Sequence, residues 1–211
     1  MIITLYRWAV FLLAGFYLVW LVLVDADYSQ AGGPFRFLTI WALLFSFFAA
    51  SRMMALVERR SDNDWPAFVA VTATLNFMVV FLYWRLFLAD PDSVTSAAGP
   101  PEPWVQYYIH ALGPVLQWGD MLFIHRNVRR FRRALVLLLG VVAAYVVWVE
   151  LFVQSLNDMP WGDVTSGLPY PFLNNLEFPA RAAFYAQTVV SAVIVLVVIC
   201  GLARFLRRSE G

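Results

Sequence analysis

Lysine is absent from this chain of 211 residues, cysteine occurs once, histidine twice, and only 14% of the residues are charged. Each shortage excludes something. The single cysteine, Cys200, permits neither a disulfide within the chain nor a thiolate metal cage, and its place inside an apolar run marks it as a space-filling residue. The two histidines, His110 and His125, fall on one expected helix, about 22 Å apart at ~1.5 Å rise per residue. They cannot ligate one metal ion or haem together, so no metal and no cofactor are expected. With 62% apolar and 17% aromatic residues and so little charge, a soluble globule of this size is excluded as well. All fifteen basic residues are arginine, a skew attributed to GC-rich coding that suggests a bacterial source.

The sequence does supply long apolar runs. A hydrocarbon core of roughly 30 Å needs about 20 apolar helical residues, and six runs meet that need, at 8–24, 35–57, 67–89, 104–124, 134–154 and 180–204. The first follows Arg7 and has no small-x-small cleavage site before Asp25, so it reads as a retained first span and not a secretion signal. The runs lack alternation, which implies helices.

The connections sort by charge. Arg7, then Arg59 and Arg60, then Arg126, Arg129, Arg130, Arg132 and Arg133, then Arg204, Arg207 and Arg208 fall on one side, cytoplasmic by the positive-inside rule. Asp25 and Asp27, Asp90, Asp92 and Glu102, then Asp158, Asp163 and Glu177 fall on the other. The expected fold is therefore an all-α integral membrane protein, a bundle of six transmembrane helices with both termini cytoplasmic, forming one domain over 1–211. It is a multi-pass protein expected in the bacterial cytoplasmic membrane. Five arginines in a short inner loop are what this topology requires, and nucleic acid is not an expected partner. Asp120 is expected to pair with an arginine of that cluster. Outside, the 157–177 connection carries Trp161, Tyr170, Pro171 and Phe172, apolar enough to lie on the membrane surface or cap the bundle.

Polar and small residues recur at helical spacing along the later spans: Thr39, Ala42, Ser46 and Ala49; Thr72, Asn76 and Tyr83; Gln106, His110, Gly113, Gln117 and Asp120; Ala143, Glu150 and Gln154; Arg181, Thr188 and Ser191. These faces should point inward, where small and hydroxylated residues let membrane helices pack closely. Depth sharpens the reading. Thr39 lies about 6 Å past Phe35, His110 about 9 Å past Trp104, and Glu150 about 25 Å above Arg133. A hydroxyl, an imidazole and a carboxylate thus share the outer leaflet, the residue types an activated-nucleophile site needs.

Three stretches carry a family resemblance: Phe35 to Trp41, Tyr107 to His110 with Pro114, and Tyr170 to Leu173 followed by Ala180 and Arg181. In order and spacing they resemble the androgen-induced protein and androgen-dependent TFPI-regulating protein family, over most of the chain. Ala42 departs from the asparagine of that pattern. The resemblance implies a membrane threonine hydrolase acting on fatty acid esters of hydroxy fatty acids, with Thr39 and His110 as the catalytic pair. Glu150 is a possible orienting acid. Arg181, Arg36 and Arg85 are candidates for holding a substrate carboxylate, Arg181 preferred, and Tyr107, Tyr108 or backbone amides near Gly113 and Pro114 for the oxyanion. Expected partners are a lipid or fatty-acyl ester and the membrane lipids themselves. The alternatives are a transporter or lipid-binding protein using an outward polar cavity, and a non-catalytic member of the family.

Overall fold

The computed structural model describes residues 1–91, 94, 102–126, 130–157 and 162–208. Asp92, Arg129, Asp158 and Trp161 lie outside the described residues, as does the side chain of Arg208. Among the described residues there are helices and no strands. Helix α1 (Ile2–Val19) runs on through a π turn at Trp20–Val24. A 3-10 turn at Gly33–Arg36 and an extended Phe37 lead into α2 (Leu38–Val57), and Pro66 opens α3 (Pro66–Ala89). Proline suits such a start because the N–H it lacks would have no partner in the first turn.

Next comes an unbroken helical rod made of α4 (Pro103–Tyr107), a π turn at Tyr108–Leu112, α5 (Gly113–Gly119) and a second π turn at Asp120–His125. α6 (Phe131–Val147) continues through a π turn at Trp148–Val153 into α7 (Gln154–Leu156). The short α8 (Pro171–Asn174) precedes the last long helix, α9 (Phe178–Arg208).

Among the described residues, five helices are long and apolar enough to cross a membrane: Ile2–Val24, Leu38–Val57, Pro66–Ala89, Phe131–Leu156 and Phe178–Arg207. The chain is a multi-pass membrane protein. The rod that holds the expected fourth span stands outside this set, its apolar run interrupted by Gln106, His110, Gln117 and Asp120.

Small residues set the core. Ala42, Ala49, Ala70, Ala73, Ala134, Ala192 and Ala203 pack with Met53, Leu75, Met78, Leu138 and Leu196, bringing α2, α3, α6 and α9 close together. Without a hydrophobic drive between helices in lipid, such close backbone approach lets dispersion hold the bundle. Cys200 fills space in this core. Ser46, Thr72, Asn76 and Gln117 are buried as expected, whereas Ala143 is exposed and the helix of the fifth expected span, α6 with its π turn and α7 (the fifth helix below), turns Tyr145, Val149 and Val153 inward instead.

A correction concerns Asp120. Among the described residues its partner is Arg7: Arg7 Nε lies 2.7 Å from Oδ1 and Nη2 3.4 Å from Oδ2, both side chains being less than one-tenth exposed. The reason is that α1 begins at Ile2, so Arg7 sits inside the helix and faces the rod. Tyr6 strengthens the same junction, donating to the Leu116 carbonyl at 2.6 Å. Removing one partner of a buried pair strands the other charge, at a cost of about 3–5 kcal/mol, while an apolar replacement of both is close to neutral. Arg7→Met or Asp120→Leu alone should therefore lower thermal stability in detergent sharply, and the double variant should regain most of it, as measured by size-exclusion thermostability.

Candidate functional site

Phe37 is extended and offers no side-chain cap, so the first N–H groups of α2 need outside acceptors. Leu38 finds one in the phenol oxygen of Tyr170, 3.1 Å from its N–H. Burial raises the Tyr170 phenol above the ordinary tyrosine range. Tyr145 donates to the Arg36 carbonyl at 2.9 Å, and the indoles of Trp41 and Trp148 both donate to the Phe35 carbonyl, at 2.8 and 3.1 Å. The entry to α2 is thereby tied to the fifth helix and to the connection that follows it.

That connection caps the bundle. Asn174 is its hub: its carbonyl accepts the N–H groups of Val164 and Thr165, its amide oxygen accepts from Thr165 Oγ1 at 2.8 Å and Leu168 N–H at 3.1 Å, and its amide nitrogen donates to the Leu168 carbonyl at 2.9 Å. Gly167 lies so close to the Gln154 backbone that a β-carbon would overlap it. Asn157 clasps Ala31 through both of its amide atoms.

His110 sits in the π turn of the rod, buried, with its ring stacked on Tyr83 at a centroid distance of 3.5 Å and nearly parallel planes. Pro114 explains the local arrangement. It has no N–H to give to the His110 carbonyl four residues earlier, and the Trp84 indole supplies the missing donor at 2.8 Å. The His110 Nδ1 is buried without a hydrogen-bond partner.

Between α2 and the rod lies a narrow cleft of about 10 Å³, bordered by Thr39, Ser46, Asn76, Tyr108, Ile109 and Gly113. That is near the least space that holds one water. Asn76 donates to Ser46 Oγ at 2.8 Å and to the Thr72 carbonyl at 3.0 Å, fixing the cleft floor. Thr39 borders the cleft at one end, and Ile109, next to His110, borders it from the rod.

The expected site residues are thus divided. Thr39 belongs to the start of α2 whose backbone Tyr170 and Tyr145 hold, His110 to Tyr83 and Trp84. Glu150 is held by Arg181 at 3.1 and 3.3 Å and by Tyr185 at 2.7 Å, so its carboxylate serves the fifth and last long helices and makes no hydrogen bond to His110. Arg181 is buried and also donates to the Leu176 carbonyl at 2.8 Å. Arg36 is buried too, donating to Gln30 at 2.6 Å and lying 3.6 Å from Asp27, whose carboxylate Ser29 holds below the usual range. Arg85 is exposed near the end of α3. Of the suggested oxyanion donors, Tyr107 is exposed and Tyr108 is buried, stacked on Tyr17. Among the described residues, no group of three or more His, Cys, Asp or Glu stands together to hold a metal ion.

Sequence reasoning named Tyr170 within a motif but gave it no role. The signal for Trp84 was Pro114, which leaves a carbonyl at His110 in need of a donor.

The fold defines an all-helical, multi-pass integral membrane protein. Residues 8–204 match the family model of the FAR-17a/AIG1-like proteins, and the chain belongs to that family, the androgen-induced protein family of the motifs above. No curated protein and no solved structure matches it.

Asn174→Ala would leave two backbone groups of Leu168 and the Thr165 hydroxyl without partners, at about 1–3 kcal/mol for each group left buried. The expected outcome is faster protease cleavage within residues 162–177 with the membrane helices intact, read by limited proteolysis and mass spectrometry.

Proposed function

We propose that the chain is an intramembrane lipid ester hydrolase, with Thr39 as nucleophile and His110 as general base, in a bundle of six spans whose termini are cytoplasmic. The observation that carries this reading is the cleft: a threonine in the first turn of α2 borders it, and the adjoining π turn of the rod holds a buried imidazole with an unpartnered nitrogen. Buried polar groups are almost always hydrogen-bonded, and π turns recur at functional sites. The positive end of the α2 dipole favours negative charge near Thr39.

In the proposed reaction the Thr39 oxygen bonds to the ester carbonyl carbon while its proton passes to the imidazole. The carbon–oxygen bond to the leaving alcohol then breaks, and that alcohol takes the proton. Water cleaves the acyl-threonine, returning the hydroxyl and releasing a fatty acid. The cleft admits this water but not an acyl chain, so the substrate enters by parting α2 from the rod. Fatty acid esters of hydroxy fatty acids are the substrate class the family resemblance implies. With Arg181 committed to Glu150, Arg85 is the arginine of the three with room for a free carboxylate.

Thr39→Ala and His110→Ala in purified protein should each abolish both covalent labelling by a fluorophosphonate probe and hydrolysis of a long-chain ester. Labelling and hydrolysis that persist in either variant would overturn the assignment of Thr39 and His110, whereas wild-type protein that neither labels nor hydrolyses would remove the hydrolase reading in favour of lipid binding or transport.

A further inference from the structure

Two buried polar atoms one turn apart on the rod lack partners. His110 is 6% exposed, and its Nδ1 has no hydrogen bond. Gln106, four residues earlier at the end of α4, buries an amide oxygen that is also unpartnered, and among the described residues Oε1 of Gln106 is the one buried side-chain oxygen in that condition. Buried polar groups are almost always hydrogen-bonded, so two exceptions on one helix point to a common cause. Residues four apart share a helix face, and side chains lean toward the N-terminus, which brings His110 back over Gln106. Tyr83 narrows the directions further. Its ring stacks on the imidazole at 3.5 Å and within 4° of parallel, so it covers a ring face and leaves the nitrogens, whose hydrogen bonds lie in the ring plane, to partners at the edge. Of the two nitrogens, Nδ1 adjoins the carbon that carries Cβ and is the nearer to the rod.

We propose that Gln106 is the positioning residue of His110: its Oε1 accepts the Nδ1–H, which sets the tautomer and leaves the lone pair on Nε2 for the proton of Thr39. A rotation of the Gln106 carboxamide closes the remaining gap. The inference rests on the proposed Thr39 and His110 chemistry and supplies the third member that an activated-nucleophile site needs. Glu150 does not fill that place, because Arg181 and Tyr185 hold it. Which imidazole nitrogen carries the proton is decided by the partner of the other one. When Nε2 takes the Thr39 proton, the ring becomes a cation with two N–H groups, and the buried Nδ1–H then needs an acceptor. Gln106 offers one without bringing a second charge into the bundle. The proton on Nε2 passes on to the leaving alcohol, while the Nδ1 proton stays with Gln106 throughout.

The test reads the tautomer directly. The chain has two histidines, so nitrogen-15 NMR of histidine-labelled full-length protein shows two imidazoles, and His125→Gln assigns them. Wild-type His110 should carry its proton on Nδ1, and Gln106→Met, which keeps the bulk and removes the acceptor, should move it to Nε2. On a long-chain ester the same variant should lower kcat on the order of 100-fold with KM unchanged, and Gln106→Glu, which keeps an acceptor, should restore the tautomer. A wild-type proton on Nε2, or one that stays on Nδ1 in Gln106→Met, overturns the proposal. So does a changed tautomer with wild-type kcat. If Gln106→Met does not fold, the wild type and Gln106→Glu decide, and a proton on Nε2 in either overturns it. Thr39→Ala separates the two levels: if it retains hydrolysis, the nucleophile assignment falls, and the hydrogen bond from His110 to Gln106 stands or falls on the tautomer alone.

Discussion

Two ion pairs withdrawn from water hold the bundle at opposite ends, Arg7 with Asp120 and Arg181 with Glu150. Neither member of such a pair can be left alone in a low-dielectric interior, so each pair forces the helices that carry it into one register. Arg7 sets α1 against the rod, and Tyr6 and the Met53 carbonyl complete the junction. Arg181 sets α9 against the fifth helix, with Tyr185 and the Leu176 carbonyl as additional partners. Once the fifth helix is fixed, Tyr145 and Trp148 hold the carbonyls of Arg36 and Phe35, and the start of α2 follows. The position of Thr39 is in this sense a consequence of a charge pair on two other helices.

The aromatic residues do more than mark the interface between hydrocarbon and headgroups. Trp84 serves the His110 carbonyl, Trp118 the Ala73 carbonyl, Trp41 and Trp148 the Phe35 carbonyl, and Tyr6 the Leu116 carbonyl. In lipid a backbone group freed by a turn or a proline has no water to turn to, and each unsatisfied group costs several kcal/mol. An indole or phenol carries one donor at the end of a large apolar body, so it can cross from one helix to its neighbour without bringing unpaired polarity along. This gives five of the chain's Trp and Tyr residues a bonding role, and Trp84 meets the carbonyl that Pro114 leaves open in the rod's first π turn.

The sequence made the helices and the polar faces legible because both follow from periodicity in an apolar background. Ser46, Asn76, Gln117 and Asp120 were readable as inward residues for the same reason. Pairings were less legible. Asp120 lies near five arginines in the chain yet meets Arg7, more than a hundred residues earlier, because helix packing decides which charge is close in space. Glu150 was expected in one layer with His110, but depth carries no information about azimuth, and its carboxylate meets Arg181. Ala143 shows the converse: size pattern alone does not orient a helix when larger residues on another face pack better. Tyr170 was out of reach altogether, since a loop residue reaches its partner through turns at Asn174 and Gly167 that no periodicity encodes.

The division of the site between two anchored groups bears on how a lipid would enter. The backbone at the start of α2, and Thr39 with it, is fixed through Tyr170, Tyr145 and the fifth helix, whereas His110 is fixed through Trp84 and Tyr83 on α3. The cleft that Thr39 borders, with Ile109 and not His110 on its rod side, is close to the size of one water, so in the proposed reaction an acyl ester would have to widen it. Widening by a shift of α2 and the capping loop against α3 and the rod would break the Asn76 to Ser46 hydrogen bond and the Gln117 to Ser46 carbonyl bond, which cross the divide. The hydrogen bonds that orient each reacting group lie within one side and would survive. Under the proposed chemistry, an interior that opens along this polar seam while keeping Thr39 and His110 in their own frameworks would admit a substrate and then reclose on it, and reclosure would be the step that brings imidazole and hydroxyl to bear on the same carbonyl.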